Sequence, residues 1–375
     1  MKIALLAGEV SGDQYGALLT RELKNLQPDI HLVGLGGKEM RLAGVRMLEK
    51  IPLGTMGWTG VIGQLPIYYR SYQKTVGRLI REKPDLVVFI DNPGFNLALA
   101  KKLGRLFPCY YYIPPKVWAH GKSRLKILRR FVQGVIPIFP FEVDFFRHNR
   151  ITCYWFGHPI LDLILSSGRG DDLPNTGLLS EPNILGILPG SRRQEIDYLL
   201  PEFILIAEKL KEENLTVVFS ALNREVKNQE EKLMKRLGKT FPVWEGNCYP
   251  LIRQARVLLS TCGTANLEIA LLGKPFLVFY KTSWLNYAIA KHVVKLKVVS
   301  PVNLILGEKI VPEHLQFIDR KLVIEQVKEL WQNSPLYHRE TQAFQKLTGL
   351  LGKSGVTRQV AEFLISQAAT FKRNR

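Results

Sequence analysis

The chain has 375 residues, of which 46% are apolar and 10% aromatic, a composition that is typical of folded domains and excludes a disordered segment. Its four cysteines form no C-x-x-C pair, so the sequence predicts neither a zinc site nor a disulfide framework, in agreement with a reducing compartment. The net charge of +19 indicates anionic partners such as nucleic acid, lipid head groups or phosphorylated substrates.

The beginning of the chain shows no pattern typical of export. Its apolar run starts at Ile3 and stops at Gly8, which is too short for the apolar region of a signal peptide. No other run reaches the roughly 20 apolar residues that a membrane-spanning helix needs. We therefore expect a cytoplasmic protein without a membrane-spanning helix.

The first half of the chain alternates short apolar segments with helical patterns. Continuous apolar segments, without polar alternation, are typical of strands in a parallel sheet that is covered on both faces. The strands predicted here are 2–7, 31–35, 85–90, 109–113, 134–138 and 152–156.

The same pattern restarts after a segment, 166–182, that has the composition of a linker. Strands are predicted at 183–188, 215–220, 243–244, 256–260 and 275–279. This organisation indicates an α/β protein with two Rossmann-like domains, each a doubly wound parallel sheet, and a cleft between them. We place the domains at 1–168 and 183–335, and the sequence leaves open where the helices of 336–375 pack.

Small and polar residues follow the first predicted strand. Ligands of doubly wound sheets bind beyond the carboxyl ends of the strands, where a helix N-terminus also favours negative charge. An ordinary turn capped by Ser11 or Asp13 is the alternative interpretation. The candidates for ligand contacts in this turn are Glu9, Ser11, Gly12 and Asp13.

Asp91 directly follows the buried strand 85–90, and Asn96 lies in the helical segment after it. An ionisable side chain just past such a strand faces the ligand crevice, so Asp91 is placed to act as a general base. A helix cap is the alternative role for the same residue type.

In the second domain, strand 183–188 runs into Gly190, Ser191 and Arg192. Backbone N–H groups, a hydroxyl and a positive charge converge in such a turn, which suits a phosphate. A capped helix with solvated arginines is the alternative.

A second turn of this kind follows strand 256–260. Gly263 and Thr264 would begin a helix whose N-terminus suits a pyrophosphate, and Glu268 one turn later could accept hydrogen bonds from ribose hydroxyls. These small residues would otherwise serve only helix–sheet packing. Asn303 and Gln316, in predicted loops, are weaker candidates for nucleotide contacts.

Several other chemistries lack their residue patterns. The seven histidines show no H-E-x-x-H motif, no Asp-x-Asp motif is present, and no G-x-S-x-G elbow indicates a hydrolase. We expect no metal and no cofactor. His158 follows a predicted strand near the domain boundary, where a structural hydrogen-bonding role is the commoner one.

Taken together, these motifs resemble lipid-A-disaccharide synthase, a family of inverting glycosyltransferases of the GT-B type. The matching blocks occur in the family's order and cover most of the chain. They are 8–13, 91–96, Trp118-Ala119, 139–142, 157–159, 188–192, 263–268, and Asn303 with Gln316. The chain departs from the family pattern at Gly94, where aspartate is common, and at His120, where a second tryptophan is common.

The resemblance implies that UDP-2,3-diacylglucosamine donates its sugar to 2,3-diacylglucosamine 1-phosphate at the inner face of the cytoplasmic membrane. Asp91 is our first choice as catalytic base, and Asp13 is the second catalytic candidate. The residues assigned to UDP are Gly190, Ser191, Arg192, Gly263, Thr264, Glu268, Asn303 and Gln316. Those assigned to the acceptor are Glu9, Ser11, Gly12, Asn96, Trp118 and His158.

Three alternatives remain open from the sequence. The nearest is another GT-B enzyme, either a UDP-sugar transferase with a different acceptor or an epimerase. A nucleic-acid-binding protein would explain the charge, but no RNP1 motif, zinc-finger spacing or basic region with heptads is present. The third is a non-catalytic scaffold, and the sequence also leaves the oligomeric state open.

A membrane-facing patch is also predicted in the first domain. Its apolar part recurs at helical spacing in the uncharged stretch 51–69, although a core helix, kinked or ended at Pro66, is the alternative. Its basic part lies in 92–141, which holds nine basic residues and no acidic one. The residues of the patch are Trp58, Val61, Ile62, Leu65, Tyr69, Lys122, Arg124, Lys126, Arg129 and Arg130.

Overall fold

The computed structural model describes residues 1–49, 61–118, 121, 123–167, 183–212, 215–284, 287 and 298–373, and only the backbone of 61–68. In these ranges the chain forms two six-stranded parallel sheets, with strand orders β3-β2-β1-β4-β5-β6 and β12-β11-β10-β7-β8-β9. The predicted α/β class with two doubly wound parallel sheets is therefore confirmed.

The first sheet is built from the first 136 residues of the chain. Its strands are β1 Lys2–Ala7, β2 His31–Leu35, β3 Arg46–Met47, β4 Leu86–Ile90, β5 Cys109–Tyr112 and β6 Gly134–Ile136. The helices that accompany it are α1 Val10–Leu26, α2 Lys38–Ala43, α3 Val61–Glu82, α4 Pro93–Leu103, α5 Arg124–Phe131, α6 Pro140–His148 and α7 Ile160–Ser166.

The second sheet repeats the strand–helix alternation. Its strands are β7 Ile184–Leu188, β8 Thr216–Ala221, β9 Val243–Glu245, β10 Val257–Thr261, β11 Phe276–Tyr280 and β12 Glu313–Leu315. The remaining helices are α8 Arg193–Lys211, α9 Arg224–Arg236, α10 Tyr249–Gln254, α11 Ala265–Leu271, α12 Pro301–Leu306, α13 Arg320–Trp331, α14 Pro335–Leu351 and α15 Val356–Arg373.

The central strands are buried along their whole length, as their uninterrupted apolar sequences require. Every residue of β4, β7 and β10 is buried, because helices cover both faces of each sheet. Parallel pairing brings the ends of neighbouring strands to one edge, with Ala7 opposite Ile90 in the first sheet and Leu188 opposite Ser260 in the second.

Three sequence predictions of local structure are wrong. Residues 152–156 form no strand in the described chain; Cys153 makes one isolated bridge to Val135, and Tyr154 and Phe156 pack on Phe363 of α15. Their apolar character therefore reflects cover by a helix. Conversely, the segments predicted as loops around 303 and 313–315 form α12 and the edge strand β12, whose few residues are too polar for a strand pattern.

The chain divides into two compact units, Met1–Leu163 with Leu351–Arg375, and Ile164–Leu350. Helix α15 packs on α1, and the Asp162 carboxylate accepts hydrogen bonds from the backbone N–H groups of Gly355 and Thr357. The last helix thus belongs to the first unit. By contrast, α14 packs in the second, where Phe344 contacts Phe276.

Among the described helices, none combines the length and the hydropathy needed to cross a membrane. Helix α3 continues through Pro66, so proline neither begins nor ends it. The side chains of 61–68 are outside the described part, and Tyr69 on the next turn is 59% exposed.

Candidate active site

Strained backbone marks the carboxyl ends of the strands. Non-glycine residues rarely adopt positive φ, yet Asp91 (φ 51°), Asn92 (φ 46°), Ile113 (φ 58°) and Gln316 (φ 59°) do so directly after β4, β5 and β12. Such strain persists only where surrounding contacts impose it, and it clusters at functional sites. The other described non-glycine residues with positive φ lie just past a helix, where this conformation is routine: Lys83, Arg150 and Asn333.

Asp91 is held through its backbone, while its carboxylate remains half-buried. Its carbonyl oxygen accepts hydrogen bonds from the Tyr111 hydroxyl and from Nδ2 of Asn96, each at 2.8 Å. Its N–H donates to the carbonyl of Tyr112 at 3.1 Å. Burial raises the pKa of Tyr111 well above its usual value, the Asp91 charge adds to this, and the Arg124 charge opposes it. Tyr111 therefore stays protonated and keeps donating.

The turn after β1 lies against Asp91. Ser11 at the start of α1 donates to Oδ2 of Asp91 at 3.5 Å, near the long limit for a hydrogen bond. A Cβ at Gly8 would overlap the Asn92 amide, so this position requires glycine. Gly12 lies about 3.5 Å, measured from where its Cβ would be, from the Ile90 carbonyl. The structure thus brings Ser11, Gly12 and Asn96 beside Asp91, and Glu9 precedes them as the α1 N-cap.

Asp13 has a different environment from Asp91. It is only 3% exposed, and its carboxylate accepts hydrogen bonds from the backbone N–H groups of Gly37, Glu39 and Met40 at 2.7 to 3.1 Å. These bonds hold the turn between β2 and α2. The Asp13 carboxylate is therefore bonded to the backbone of this turn.

Trp118 is fixed by a carboxylate that the sequence analysis did not single out. Its Nε1 donates to Oε1 of Glu142 at 2.8 Å, and its ring meets Phe141 edge-to-face at 4.9 Å. Glu142 is 1% exposed, and its Oε2 accepts from the N–H groups of Ile138 and Phe139. Burial raises the pKa of Glu142 to about 6, against the lowering effect of these hydrogen bonds and of Lys116.

His158 lies next to this aromatic group. It is 1% exposed, its Nδ1 accepts from the N–H of Ile160, and its ring contacts Tyr15 and Phe139. Burial, together with the Lys116 charge, lowers the pKa of His158 to about 3. The ring is therefore neutral and packs as a core group.

In the second unit, the turn after β7 already holds an anion from its own chain. The backbone N–H groups of Ser191 and Arg192 both donate to Oε2 of Glu195 at 3.3 Å. The Arg192 guanidinium donates to Oε1 of Glu195 at 3.0 Å and is 63% exposed on its side chain. Gly190 has φ 115°, which turns the chain into α8. A carboxylate thus occupies the donors that the sequence assigned to phosphate.

The turn after β10 lies beside it, because the Thr261 hydroxyl donates to the carbonyl of Pro189 at 2.7 Å. Gly263 and Thr264 precede α11 as predicted. Glu268, one turn into the helix, is 9% exposed and accepts from the Tyr249 hydroxyl at 3.0 Å. Burial raises the pKa of Glu268, and the Tyr249 hydrogen bond opposes this rise.

The structure uses Asn303 and Gln316 to fix loops. Asn303 is fully buried; its Oδ1 accepts from the N–H groups of Ile310 and Val311, and its Nδ2 donates to the Val311 carbonyl and to Glu313. The Gln316 amide bonds to both the N–H and the carbonyl of Thr282. These hydrogen bonds join both side chains to residues outside the turns after β7 and β10.

The predicted membrane patch is only partly described. Trp58, Lys122 and the side chains of Val61, Ile62 and Leu65 lie outside the described residues. On α5, the side chains of Lys126, Arg129 and Arg130 are exposed, and Arg124 is half-buried. Arg129 donates to the Asn149 carbonyl, and the Arg130 guanidinium stacks over Phe131.

Sequence reasoning missed the groups that support the predicted residues: Tyr111, Glu142, Glu195 and Tyr249. Glu142 and Glu195 did carry a signal, because each stands three residues after a helix N-cap, where glutamate caps the helix. Within the described ranges, no three His, Cys, Asp or Glu side chains are grouped so that they could hold a metal ion.

The family model described as lipid-A-disaccharide synthetase matches residues 3–362. The chain is 30% identical over 370 residues to the lipid-A-disaccharide synthase of Geobacter sulfurreducens, covering 97% of this chain and 96% of that one. It is 33% identical over 399 residues to the enzyme of that name from Acidobacterium capsulatum, covering 100% of this chain and 98% of that one.

Similar solved structures share the fold at much lower identity. UDP-GlcNAc 2-epimerase from Neisseria meningitidis, bound to UDP-GlcNAc, has a TM-score of 0.67 at 15% identity, with 98% of this chain and 100% of that chain covered. A glycosyltransferase from Rickettsia africae has a TM-score of 0.57 at 11% identity, with 100% and 99% covered. At these identities the likeness concerns the fold alone.

Proposed function

The chain belongs to the lipid-A-disaccharide synthetase family, and we propose that Asp91 is the base that activates the acceptor sugar. Membership makes the protein a glycosyltransferase of lipid A biosynthesis, with a UDP-sugar donor and a lipid acceptor. In finer detail, the donor is UDP-2,3-diacylglucosamine and the acceptor is 2,3-diacylglucosamine 1-phosphate. The observation that carries the assignment of the base is the half-buried Asp91 carboxylate on a strained backbone that three hydrogen bonds anchor.

The proposed reaction begins at the acceptor's 6-hydroxyl. The Asp91 carboxylate takes its proton, and the oxygen attacks the anomeric carbon of the donor from the face opposite UDP. The bond between that carbon and the diphosphate breaks, and UDP leaves with the electron pair. The products are a β-1,6-linked disaccharide 1-phosphate and UDP. A rigid backbone at Asp91 supports this step, because a positioned base needs no reorganisation before it acts.

We assign the acceptor to the first unit. Ser11 and Gly12 border Asp91, so a sugar that binds to the Asp91 carboxylate would lie beside them. Glu9 and Asn96 complete this edge. Trp118, held by Glu142, offers an apolar face for a sugar ring. Asp13 and His158 have a supporting role, since their polar atoms accept hydrogen bonds from backbone N–H groups.

We assign UDP to the turns after β7 and β10 in the second unit. The phosphates of UDP would displace the Glu195 carboxylate from the N–H groups of Ser191 and Arg192. The charged Arg192 side chain would then stabilise the leaving diphosphate. Thr264 begins the next helix near by, and the Gly263 N–H, which donates to Oδ1 of Asn266 at 3.3 Å, would exchange its acceptor in the same way. Glu268 would accept from the ribose hydroxyls beside Tyr249. Asn303 and Gln316 hold the surrounding loops.

Substituting Arg192 or Glu268 by alanine is expected to weaken UDP binding by about 1.5–3 kcal/mol each, because a hydrogen bond to a charged group is lost. Isothermal titration calorimetry with UDP measures this directly. Arg193→Ala is the matched control, since the side chain of Arg193 is 87% exposed and pairs with Asp197 at the outer side of the helix. Unchanged UDP affinity in both Arg192→Ala and Glu268→Ala would put the nucleotide elsewhere.

An epimerase is the second candidate function, because the Neisseria meningitidis epimerase shares the fold. The two activities differ in their need for a second sugar. A transferase releases UDP in proportion to added diacylglucosamine 1-phosphate, whereas an epimerase converts its UDP-sugar without an acceptor. A UDP-release assay with and without the acceptor therefore separates them.

We also propose that the protein binds the inner face of the cytoplasmic membrane as a peripheral protein, through the exposed cations of α5. Lys126→Glu with Arg130→Glu is expected to lower affinity for anionic vesicles by at least about tenfold, since each charge near such a surface contributes about 1 kcal/mol. The control is Lys235→Glu with Arg236→Glu, an equal charge change on exposed residues of α9. If the two double variants lose equal vesicle affinity, the protein is attracted by its net charge and not through α5.

A further inference from the structure

Three aromatic side chains form a group at the carboxyl edge of the second sheet, two of them exposed and the third, Tyr287, half-buried. Trp284 is 65% exposed and Phe317 is 70% exposed, whereas aromatic residues of this size are usually largely buried. The ring centroids of Trp284 and Phe317 are 5.9 Å apart, and Tyr287 lies 5.8 Å from Trp284 and 6.2 Å from Phe317. We name Trp284, Tyr287 and Phe317 the aromatic platform. A contiguous exposed apolar group of this kind marks a binding surface.

The platform is held in place by the strained residue Gln316. Its side-chain amide accepts from the Thr282 N–H at 3.2 Å and donates to the Thr282 carbonyl at 3.0 Å, while its own N–H donates to the Tyr280 carbonyl at 2.8 Å. These three bonds tie the chain that leaves β12 to the chain that leaves β11. Phe317 directly follows Gln316, and Trp284 follows Thr282 by two residues, so the two rings are brought together by the backbone.

The platform adjoins the turns to which we assign UDP. In the sheet, β11 lies between β10 and β12, and the Cys262 N–H donates to the Phe279 carbonyl at 2.8 Å. Neighbouring strands are about 4.8 Å apart, so roughly two strand spacings separate Cys262 from the residues after β12. A sugar attached to a diphosphate at this edge therefore has substituents that reach the platform.

Charge beside the platform favours a hydrocarbon ligand. Lys281 and Arg320 flank it in sequence, and both pair with Glu202, at 2.7 Å and 3.0 Å. One carboxylate thus engages both cations, which lowers the net positive charge beside the platform. An array of phospholipid head groups would need such cations, whereas an acyl chain does not.

We propose that the aromatic platform binds an acyl chain of the sugar-nucleotide donor. The proposal rests on the donor half of the proposed function, with UDP in the turns after β7 and β10. It assigns the recognition of the donor's lipid to Trp284, Tyr287 and Phe317, and it gives Gln316 the role of positioning residue for the platform. An acyl chain laid on these rings removes apolar surface from water on both partners.

Binding of three probes tests the proposal: UDP, UDP-glucosamine, and UDP-glucosamine carrying two short acyl chains that keep it monomeric in solution. We expect wild-type protein to bind the acylated probe more tightly than UDP-glucosamine. Trp284→Ser with Phe317→Ser is expected to lose roughly tenfold or more of the affinity for the acylated probe, and to bind UDP and UDP-glucosamine as the wild type does. Gln316→Ala, which frees the two loops, is expected to lose part of the same affinity.

The control variant is Leu237→Ser, because Leu237 is 42% exposed in the same unit and lies at the end of α9, on the opposite edge of the sheet. It should bind all three probes normally. Unchanged affinity of the double variant for the acylated probe would overturn the proposal, and so would an equal loss for all three probes. Loss of binding to phospholipid vesicles, with affinity for the monomeric probe retained, would show a bilayer contact instead. If both Arg192→Ala and Glu268→Ala leave UDP affinity unchanged, the donor assignment itself has failed, whatever the platform binds.

Discussion

Asp91→Asn is expected to reduce turnover by about 10²–10⁴-fold while leaving the fold and UDP affinity intact, because the amide cannot accept the proton of the acceptor hydroxyl. Asparagine is the informative substitution, since it has the same shape and is among the residues that best tolerate positive φ. The bonds to the Asp91 backbone from Tyr111 and Asn96 therefore remain possible. Alanine would combine loss of the base with backbone strain.

Turnover is measured with saturating donor and acceptor, and UDP binding by calorimetry on the same preparations. Asp29→Asn is the control, because Asp29 is an exposed carboxylate in the loop before β2. Near-normal turnover of Asp91→Asn would remove Asp91 from the base role. Equal loss in the control would show that the assay reports net charge.

Glu230→Gln is expected to stabilise the second unit at neutral and alkaline pH. Glu230 lies between Val226 and Met234 on the buried stripe of α9, and neither of its carboxyl oxygens has a hydrogen-bond partner among the described residues. Burial raises the pKa of Glu230 to about 8 from an ordinary 4.5, and the charge of Glu231 adds to this. The folded protein therefore retains a proton that the unfolded chain releases.

The direction of the pH dependence follows from this difference. Below about pH 4.5 both states are protonated, so ionisation of Glu230 costs nothing there; stability then falls as pH rises from about 4.5 to about 8, and the loss is about 3 kcal/mol at pH 7. Glutamine does not titrate, so its stabilising effect should be near zero at pH 4.5 and grow toward pH 8. Glu230→Leu should add about 1–3 kcal/mol, because no buried polar group remains unpaired.

Denaturant unfolding of both variants at several pH values measures these free energies. Glu231→Gln is the matched control, since the neighbouring carboxylate is about half exposed and pairs only weakly with Lys227 at 3.9 Å. It should change stability by less than about 0.5 kcal/mol. Parallel pH profiles for Glu230→Gln and the wild type would contradict the expectation.

The strand ends could be read from the sequence because their signals are local. An uninterrupted apolar run, with a glycine or aspartate within two residues of its end, identified the ends of β1, β4, β7 and β10, and with them Ser11, Asp91, Ser191 and Gly263. The family blocks indicated the reaction. By contrast, β12 has three residues at a sheet edge, where polar side chains are tolerated, so no apolar pattern marks it.

Partners distant in the sequence could not be predicted in this way. From the sequence, Asp13 could be a ligand-binding residue or a helix N-cap. Only the fold places the backbone of Gly37 and Met40 against its carboxylate. Glu142 reads as a capping residue until Trp118 is found bonded to it from 24 positions away. Trp284 and Phe317 would ordinarily be taken as core residues, because exposure is decided by neighbours that sequence patterns do not reveal.

Mass spectrometry of the product formed from matched lipids determines whether the protein joins the two sugars. The purified protein is incubated with UDP-2,3-diacylglucosamine and 2,3-diacylglucosamine 1-phosphate whose acyl chains differ in mass. We expect one disaccharide 1-phosphate that contains one sugar from each lipid, formed together with an equal amount of UDP. A donor whose sugar is altered while still attached to UDP, or UDP release without any product containing both sugars, would contradict it.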